Sequence, residues 1–124
     1  LNISDHESFK EITDLKVSSH LYIKRDGEII QFVPFNKRAW HAGDSVFKGV
    51  PNCNDFSIGI ELEGADDDIF TEEQYDSLAS ATKEIIKKYP LISKDNITGH
   101  SEIAPNRKTD PGSKFDWEKY LKLV

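Results

Sequence analysis

Residues 71–90 constrain this 124-residue chain more than any other stretch. Thr71, with Gln74 three residues later, is a capping-box pattern. Tyr75, Leu78, Ala79, Thr82, Ile85, Ile86 and Tyr89 then recur at the spacing of one helical face. Pro90 ends the run, because it has no N–H to donate and its ring clashes with the preceding turn. Such a helix needs a second apolar surface to lie on, and the sequence upstream predicts a sheet. Two β-prone runs, His20-Leu21-Tyr22-Ile23 and Ile29-Ile30-Gln31-Phe32-Val33, flank Asp26-Gly27 and read as a hairpin. In residues 56–63 a third strand is expected, with Phe56, Ile58, Ile60 and Leu62 on the core face and Ser57, Gly59, Glu61 and Glu63 on the other.

A short apolar segment, Ile97-Thr98, follows the long helix, and residues 115–123 suit a last short helix. The expectation is an α+β fold, a small mixed β-sheet with helices packed on it, forming one domain over residues 1–124. No internal repeat or low-complexity tract interrupts it.

Apolar residues make up 37% and charged residues 31%, the balance of a soluble globular domain. No run of about 18 apolar residues offers a membrane span. A net charge of −6 and a pI near 5.2 argue against a duplex nucleic-acid binder. Part of the acidity sits in Asp66-Asp67-Asp68, read as a solvated loop. Cys53, the single cysteine, has no internal partner, which agrees with a reducing compartment and makes the cytoplasm the expected location. The chain opens at Leu1 and contains no methionine, so the natural start is expected upstream.

Chemistry concentrates in residues 98–112, where His100, Lys108 and Asp110 lie between Gly99, Pro105, Pro111 and Gly112. Pro105 and the Asp110-Pro111-Gly112 turn signal argue against helix over most of this loop. An extended course would put Lys108 and Asp110 on one side. The plain reading is a surface salt bridge beside a solvated histidine; the sharper one is half of a metal site. Catalytic zinc takes three protein ligands and leaves a position open. His100 and Asp110 supply two, and the candidates for a third are His6, His20 and His41. His20 reads as a packed, hydrogen-bonded strand residue and His6 as solvated. Trp40-His41-Ala42-Gly43 suits recognition of a sugar or peptide, against the plainer reading of a tryptophan covering the core edge. Lys108 suits stabilisation of a developing oxyanion.

Glu61 and Glu63, two apart on one strand, have Cα atoms about 6.5 to 7 Å apart. Inverting glycosidases hold their carboxyl groups roughly 6.5–9.5 Å apart, so that activity is a rival. It leaves His100, Lys108 and Asp110 without a role, whereas one glutamate acting as general base on zinc-activated water uses all four residues.

Taken in order, Val17-Ser18-Ser19-His20, Arg25-Asp26-Gly27-Glu28-Ile29, Val33-Pro34-Phe35-Asn36-Lys37-Arg38-Ala39-Trp40-His41-Ala42-Gly43, Cys53-Asn54-Asp55-Phe56-Ser57-Ile58-Gly59-Ile60-Glu61-Leu62-Glu63-Gly64 and residues 98–112 closely resemble the AmpD-type amidases. These are the cytosolic 1,6-anhydro-N-acetylmuramoyl-L-alanine amidases of Gram-negative bacteria, with phage amidases and peptidoglycan recognition proteins as more distant relatives. The resemblance runs from about residue 16 to the end of the chain. It implies an amidase/peptidoglycan-recognition-like fold and a Zn2+-dependent hydrolase. The bond cut is the amide between anhydro-muramic acid and L-alanine of muropeptides, during cell-wall recycling.

By the same resemblance His100 and Asp110 are zinc ligands, Glu61 is the catalytic acid/base and Lys108 stabilises the oxyanion. Ala39 and Trp40 match the sugar-side pocket. The family's first zinc ligand is a histidine on an N-terminal strand, expected upstream of residue 1. Lys16 stands where an arginine is expected for the peptide's acidic groups, and Asn52 where a basic residue is common; a lysine keeps the charge but loses the bidentate fork. The implied partner is a muropeptide, with neither nucleic acid nor membrane, and the implied state is a monomer. A non-catalytic module that binds peptidoglycan fragments is the rival from another class.

Overall fold

A computed structural model describes residues 19–65 and 67–124. Among them lie strands β1 (Leu21–Ile23), β2 (Ile29–Gln31), β3 (Val46–Phe47), β4 (Val50–Pro51) and β5 (Ile60–Leu62), and helices α1 (Glu72–Lys88), α2 (His100–Ile103) and α3 (Trp117–Leu123). Single 3-10 turns occur at Cys53–Asp55 and Lys94–Asn96.

The main sheet runs β2-β1-β5. Phe32 donates its N–H to His20 O and Lys24 to Glu28 O, so the partners' numbers keep a constant sum and β1 and β2 are antiparallel. Across the other edge His20 and Leu21 donate to Gly59 O and Glu63 donates to Ile23 O. There the offset between partners is constant to within one residue, and β5 is parallel to β1. The sheet is therefore mixed, and the Asp26-Gly27 hairpin is present as its sequence predicts. The described residues form two compact units, one of residues 19–22 with Ile30–Glu61, the other of Ile23–Ile29 with the described part of Leu62–Val124.

The first unit is rich in loops, and polar side chains hold it. Ala39, Ala42 and Cys53 are buried, as are Ser19, His20, Ser45 and Asn54. Asn54 Oδ1 accepts the Ala42 N–H at 2.7 Å, Ser45 Oγ accepts the Cys53 N–H at 3.3 Å, and Ser57 Oγ donates to Cys53 O at 2.6 Å. Loop backbone removed from water must find such partners. The hairpin β3–β4 pairs Phe47 with Val50, and its two turn residues, Lys48 and Gly49, both have positive φ. That is the two-residue turn that matches strand twist; Lys-Gly is a weaker signal for it than Asn-Gly.

The expected third strand is shorter than its alternation. The strand covers only Ile60–Leu62, and Phe56 is 48% exposed rather than in the core. The Cys53–Asp55 turn is the cause, since Phe56 N–H and Ser57 Oγ both return to Cys53 O and hold the chain off the sheet until Gly59. Asn52, which precedes that turn, has φ 58 and ψ 57, a left-handed conformation that asparagine tolerates better than lysine or arginine. This is a conformational reason for an uncharged residue there.

The second unit is built on α1. Thr71 Oγ1 accepts the Gln74 N–H and Gln74 Oε1 accepts the Thr71 N–H, so the capping box is complete. Gln74 does more than cap. Fully buried, it donates Nε2 to Glu63 O at 2.9 Å and Ile23 O at 3.3 Å, tying the helix start to the ends of β5 and β1. A neutral amide serves both bonds, where a buried glutamate would have to lose its charge. Tyr75, Leu78, Ala79, Thr82 and Ile85 bury the face that the spacing predicts, and α1 packs against α3. Thr82 spends its hydroxyl proton on Leu78 O, so Tyr120 donates to Thr82 at 2.6 Å. Phe115 stands among Phe70, Tyr75, Trp117 and Tyr120, with centroid separations of 4.8 to 5.8 Å.

The acidic tract is not simply solvated. Asp68 Oδ2 pairs with Arg25 at 2.9 Å and accepts the Ala65 N–H at 2.8 Å, while Arg25 also reaches Ile69 O.

Candidate metal and catalytic site

In the second unit His100 begins α2, a single helical turn where the sequence predicted an extended loop. Pro105 does not prevent it, because the turn is complete before the proline: Ala104 N–H closes on His100 O, and Arg107 and Lys108 then donate to Ala104 O. Ser101 N–H donates to Asp110 O at 2.9 Å and draws the far end of the loop back to its start. Gly99, just ahead of His100, has Pro111 and Trp117 against it. A Cβ there would stand 2.9 Å from Pro111 Cδ and 3.2 Å from Trp117 Cζ2.

This closure brings His100 Nδ1 to 3.3 Å from Asp110 Oδ2, with the histidine largely buried and the aspartate half-exposed. The hydrogen bond from His100 holds the Asp110 carboxyl below its ordinary range. Burial opposes that shift, and the His100 and Lys108 charges reinforce it. The plainer alternative, a Lys108–Asp110 salt bridge, gives way to the approach of His100 to the aspartate, on which Lys108 acts through its charge.

The pair suits a shared cation. Zinc–nitrogen and zinc–oxygen bonds of about 2.0–2.1 Å in a tetrahedron place adjacent ligand atoms about 3.3 Å apart. One imidazole nitrogen and one carboxylate oxygen already stand at that separation. Among the described residues no third histidine, cysteine or acidic side chain joins them. His6 and Lys16 lie outside the described residues.

In the first unit Glu61 is the exposed middle residue of β5. Glu63, in the second, accepts the Arg25 N–H at 2.8 Å and is part-buried. Its carboxylate is thus engaged with backbone, which weakens the rival that needs two working acids. Trp40 is 44% exposed, and Arg38 lies over its ring at 4.2 Å while pairing with Asp55. Ala39 is fully buried, so of the two residues only Trp40 presents side-chain surface.

His20 is packed and hydrogen-bonded, as the sequence predicts, and stands immediately before β1. Nε2 bonds Lys37 O at 2.8 Å and Nδ1 accepts the Gly59 N–H at 3.1 Å. Burial pushes its pKa below the ordinary value, outweighing the bond to Lys37. His41 Nε2 lies 3.2 Å from Ser57 Oγ, and its ring covers Gly59 so closely that a Cβ there would stand 2.4 Å from Cγ. Sequence reasoning passed over Gly59. A glycine inside a β-prone run is the signal of close approach that marks it.

A small mixed sheet with helices, and a histidine–carboxylate pair on a closed loop, places the chain among α+β hydrolase domains. Residues 1–113 match the family described as N-acetylmuramoyl-L-alanine amidase, and the chain belongs to that family. It is 58% identical over 119 residues to the 1,6-anhydro-N-acetylmuramyl-L-alanine amidase AmpD of Escherichia coli K12, covering 96% of this chain and 64% of that protein. The AmpD of Salmonella typhimurium SL1344 is likewise 58% identical, again over 96% of this chain and over 63% of the relative. The chain thus spans under two thirds of the length of these curated relatives.

Among solved structures, a selenomethionine derivative of AmpD superposes with a TM-score of 0.86 at 54% identity, covering all of this chain and 69% of that one. The amidase AmiD of E. coli, solved with its substrate anhydro-N-acetylmuramic acid-L-Ala-D-γ-Glu-L-Lys, superposes with a TM-score of 0.87 at 35% identity over 94% of this chain and 51% of that one.

Proposed function

We propose that this chain carries the chemistry of a zinc-dependent amidase that hydrolyses the amide between anhydro-N-acetylmuramic acid and L-alanine of muropeptides in cell-wall recycling. The observation that carries the reading is the 3.3 Å approach of His100 Nδ1 to Asp110 Oδ2 on a loop closed by its own backbone bonds. Membership in the amidase family supports it, as does the AmiD complex with an anhydro-muramyl peptide.

His100 and Asp110 would hold the ion. When bound, Zn2+ supplies Lewis acidity that polarises the amide carbonyl and lets water ionise near neutral pH. Glu61 takes the proton of the attacking water and delivers it to the alanine nitrogen as the C–N bond breaks, leaving a free peptide amine and the muramyl carboxylate. Lys108 stabilises the charge that gathers on the carbonyl oxygen. Trp40 offers an aromatic face to the sugar, and Lys16 a charge to the acidic stem. We place the enzyme in the cytoplasm as a monomer that binds neither nucleic acid nor membrane. The net charge of −6 supports the first exclusion, and no helix among the described residues is long and apolar enough to cross a membrane.

Zinc stoichiometry and release of free peptide from anhydro-muropeptide test this reading, measured on residues 1–124 and on a chain extended upstream. One zinc per chain with peptide release in the extended form is the expected result. Saturable muropeptide binding without metal or cleavage replaces the enzyme with a recognition module, and a new reducing sugar end points to the glycosidase.

A further inference from the structure

His20 is 1% exposed, yet its side chain is polar and its ring bonds in two opposite directions. The Gly59 N–H can only donate, so Nδ1 is the bare nitrogen; Lys37 O can only accept, so Nε2 carries the proton. The backbone of the same residue donates to Gly59 O and accepts from Phe32 N–H. One residue therefore fastens three chain segments. Lys37 immediately precedes Arg38, whose guanidinium lies over Trp40, and Gly59 stands two residues before Glu61. A position needing only bulk would take leucine or phenylalanine at no desolvation cost. A buried imidazole offsets that cost only while both partners are in place.

We propose that His20 is a positioning residue for amide hydrolysis, setting the loop of residues 37–41, which presents Trp40, against the strand that carries Glu61. The proposal rests on the roles given to Glu61 and Trp40 above. His20 touches neither the substrate nor the reacting atoms; it acts through Gly59 and Lys37.

The two ring bonds can be cut separately. An asparagine amide oxygen falls near the place of Nδ1, and a glutamine amide nitrogen near that of Nε2. In the zinc-loaded whole protein, His20→Gln keeps the tie to Lys37 and releases Gly59. Its kcat falls about 10²-fold, the effect of misplacing a catalytic group by about 1 Å, with KM near wild type. His20→Asn keeps Gly59 and releases the Trp40 loop, so KM rises about tenfold, the effect of one lost hydrogen bond, with kcat near wild type. Variants that both keep wild-type constants, or that lose kcat and KM together in the same proportion, overturn the proposal and leave His20 as core packing.

Gly59→Ala serves where the His20 variants fold poorly. Its Cβ meets the His41 ring and displaces the strand with His20 intact, so kcat falls as in His20→Gln; wild-type kcat there overturns the proposal. A wild-type protein that releases no peptide overturns the amidase reading itself, an outcome distinct from any loss confined to the variants.

Discussion

At His20 the folded chain has room for one protonation state, because a second proton on Nδ1 would face the Gly59 N–H. Burial acts in the same direction and pushes the pKa below its ordinary 6.5. In the unfolded chain the ring takes its proton at about 6.5, so between that pH and the lower folded value the unfolded state binds more protons. Stability is therefore complete above about pH 6.5 and declines as the pH falls through the window down to the folded pKa. Urea midpoints at pH 7.5 and 5.5 check this. The wild-type midpoint should drop further between the two than that of His20→Asn, which has no ring to protonate, and equal drops would show that His20 titrates normally in the folded state. Sequence position identified this histidine as packed rather than metal-bound. Its link to the strand of Glu61 was not legible, because it runs through backbone groups of Lys37 and Gly59 whose approach depends on the fold.

At the scale of elements, α1 shows what local sequence can specify. Its cap, apolar face and stop were all readable because each depends on residues within one or two turns. Removing the Thr71 hydroxyl deletes its bond from Gln74 N–H and its own 2.6 Å bond to Arg25 O. Thr71→Ala is expected to cost about 1–2 kcal/mol of unfolding free energy with an unchanged denaturant slope. A loss under about 0.5 kcal/mol in urea melts would mean that water replaces the cap. The elements that escaped the sequence are those fixed by distant or non-periodic bonds. Phe56 lies in an alternating pattern but is held out of the sheet by Cys53 O, and α2 forms ahead of Pro105 because four residues suffice for a turn. Asp68 reads as one more exposed acid until Arg25, 43 positions earlier, is placed beside it. His100 and Asp110 were recognisable as a pair by residue type, but their 3.3 Å approach needed the Ser101–Asp110 backbone bond, which no spacing rule supplies.

At the scale of the whole molecule, the proposed function assigns metal binding and catalysis to different residues, and linkage can separate the two. A cation held by the native loop but not by the unfolded chain raises stability by RT ln(1 + [Zn]/Kd), about 2.7 kcal/mol at 100 times Kd. Thermal melts with zinc and with a chelator read this increment directly. In the upstream-extended chain, Asp110→Ala removes one of the two donors that the described residues supply and should abolish most of it along with turnover. Glu61, exposed on β5 and assigned the proton rather than the ion, should behave otherwise. Glu61→Ala is expected to keep the zinc-dependent rise in Tm while turnover falls roughly 10²–10⁴-fold, the usual loss on removing a general acid–base group. If Glu61→Ala also loses the rise, the carboxylate belongs to the metal's own environment. If turnover is unchanged, another group carries the proton. Retention of the rise together with loss of turnover assigns holding the ion to the closed loop of residues 100–110 and moving the proton to the strand.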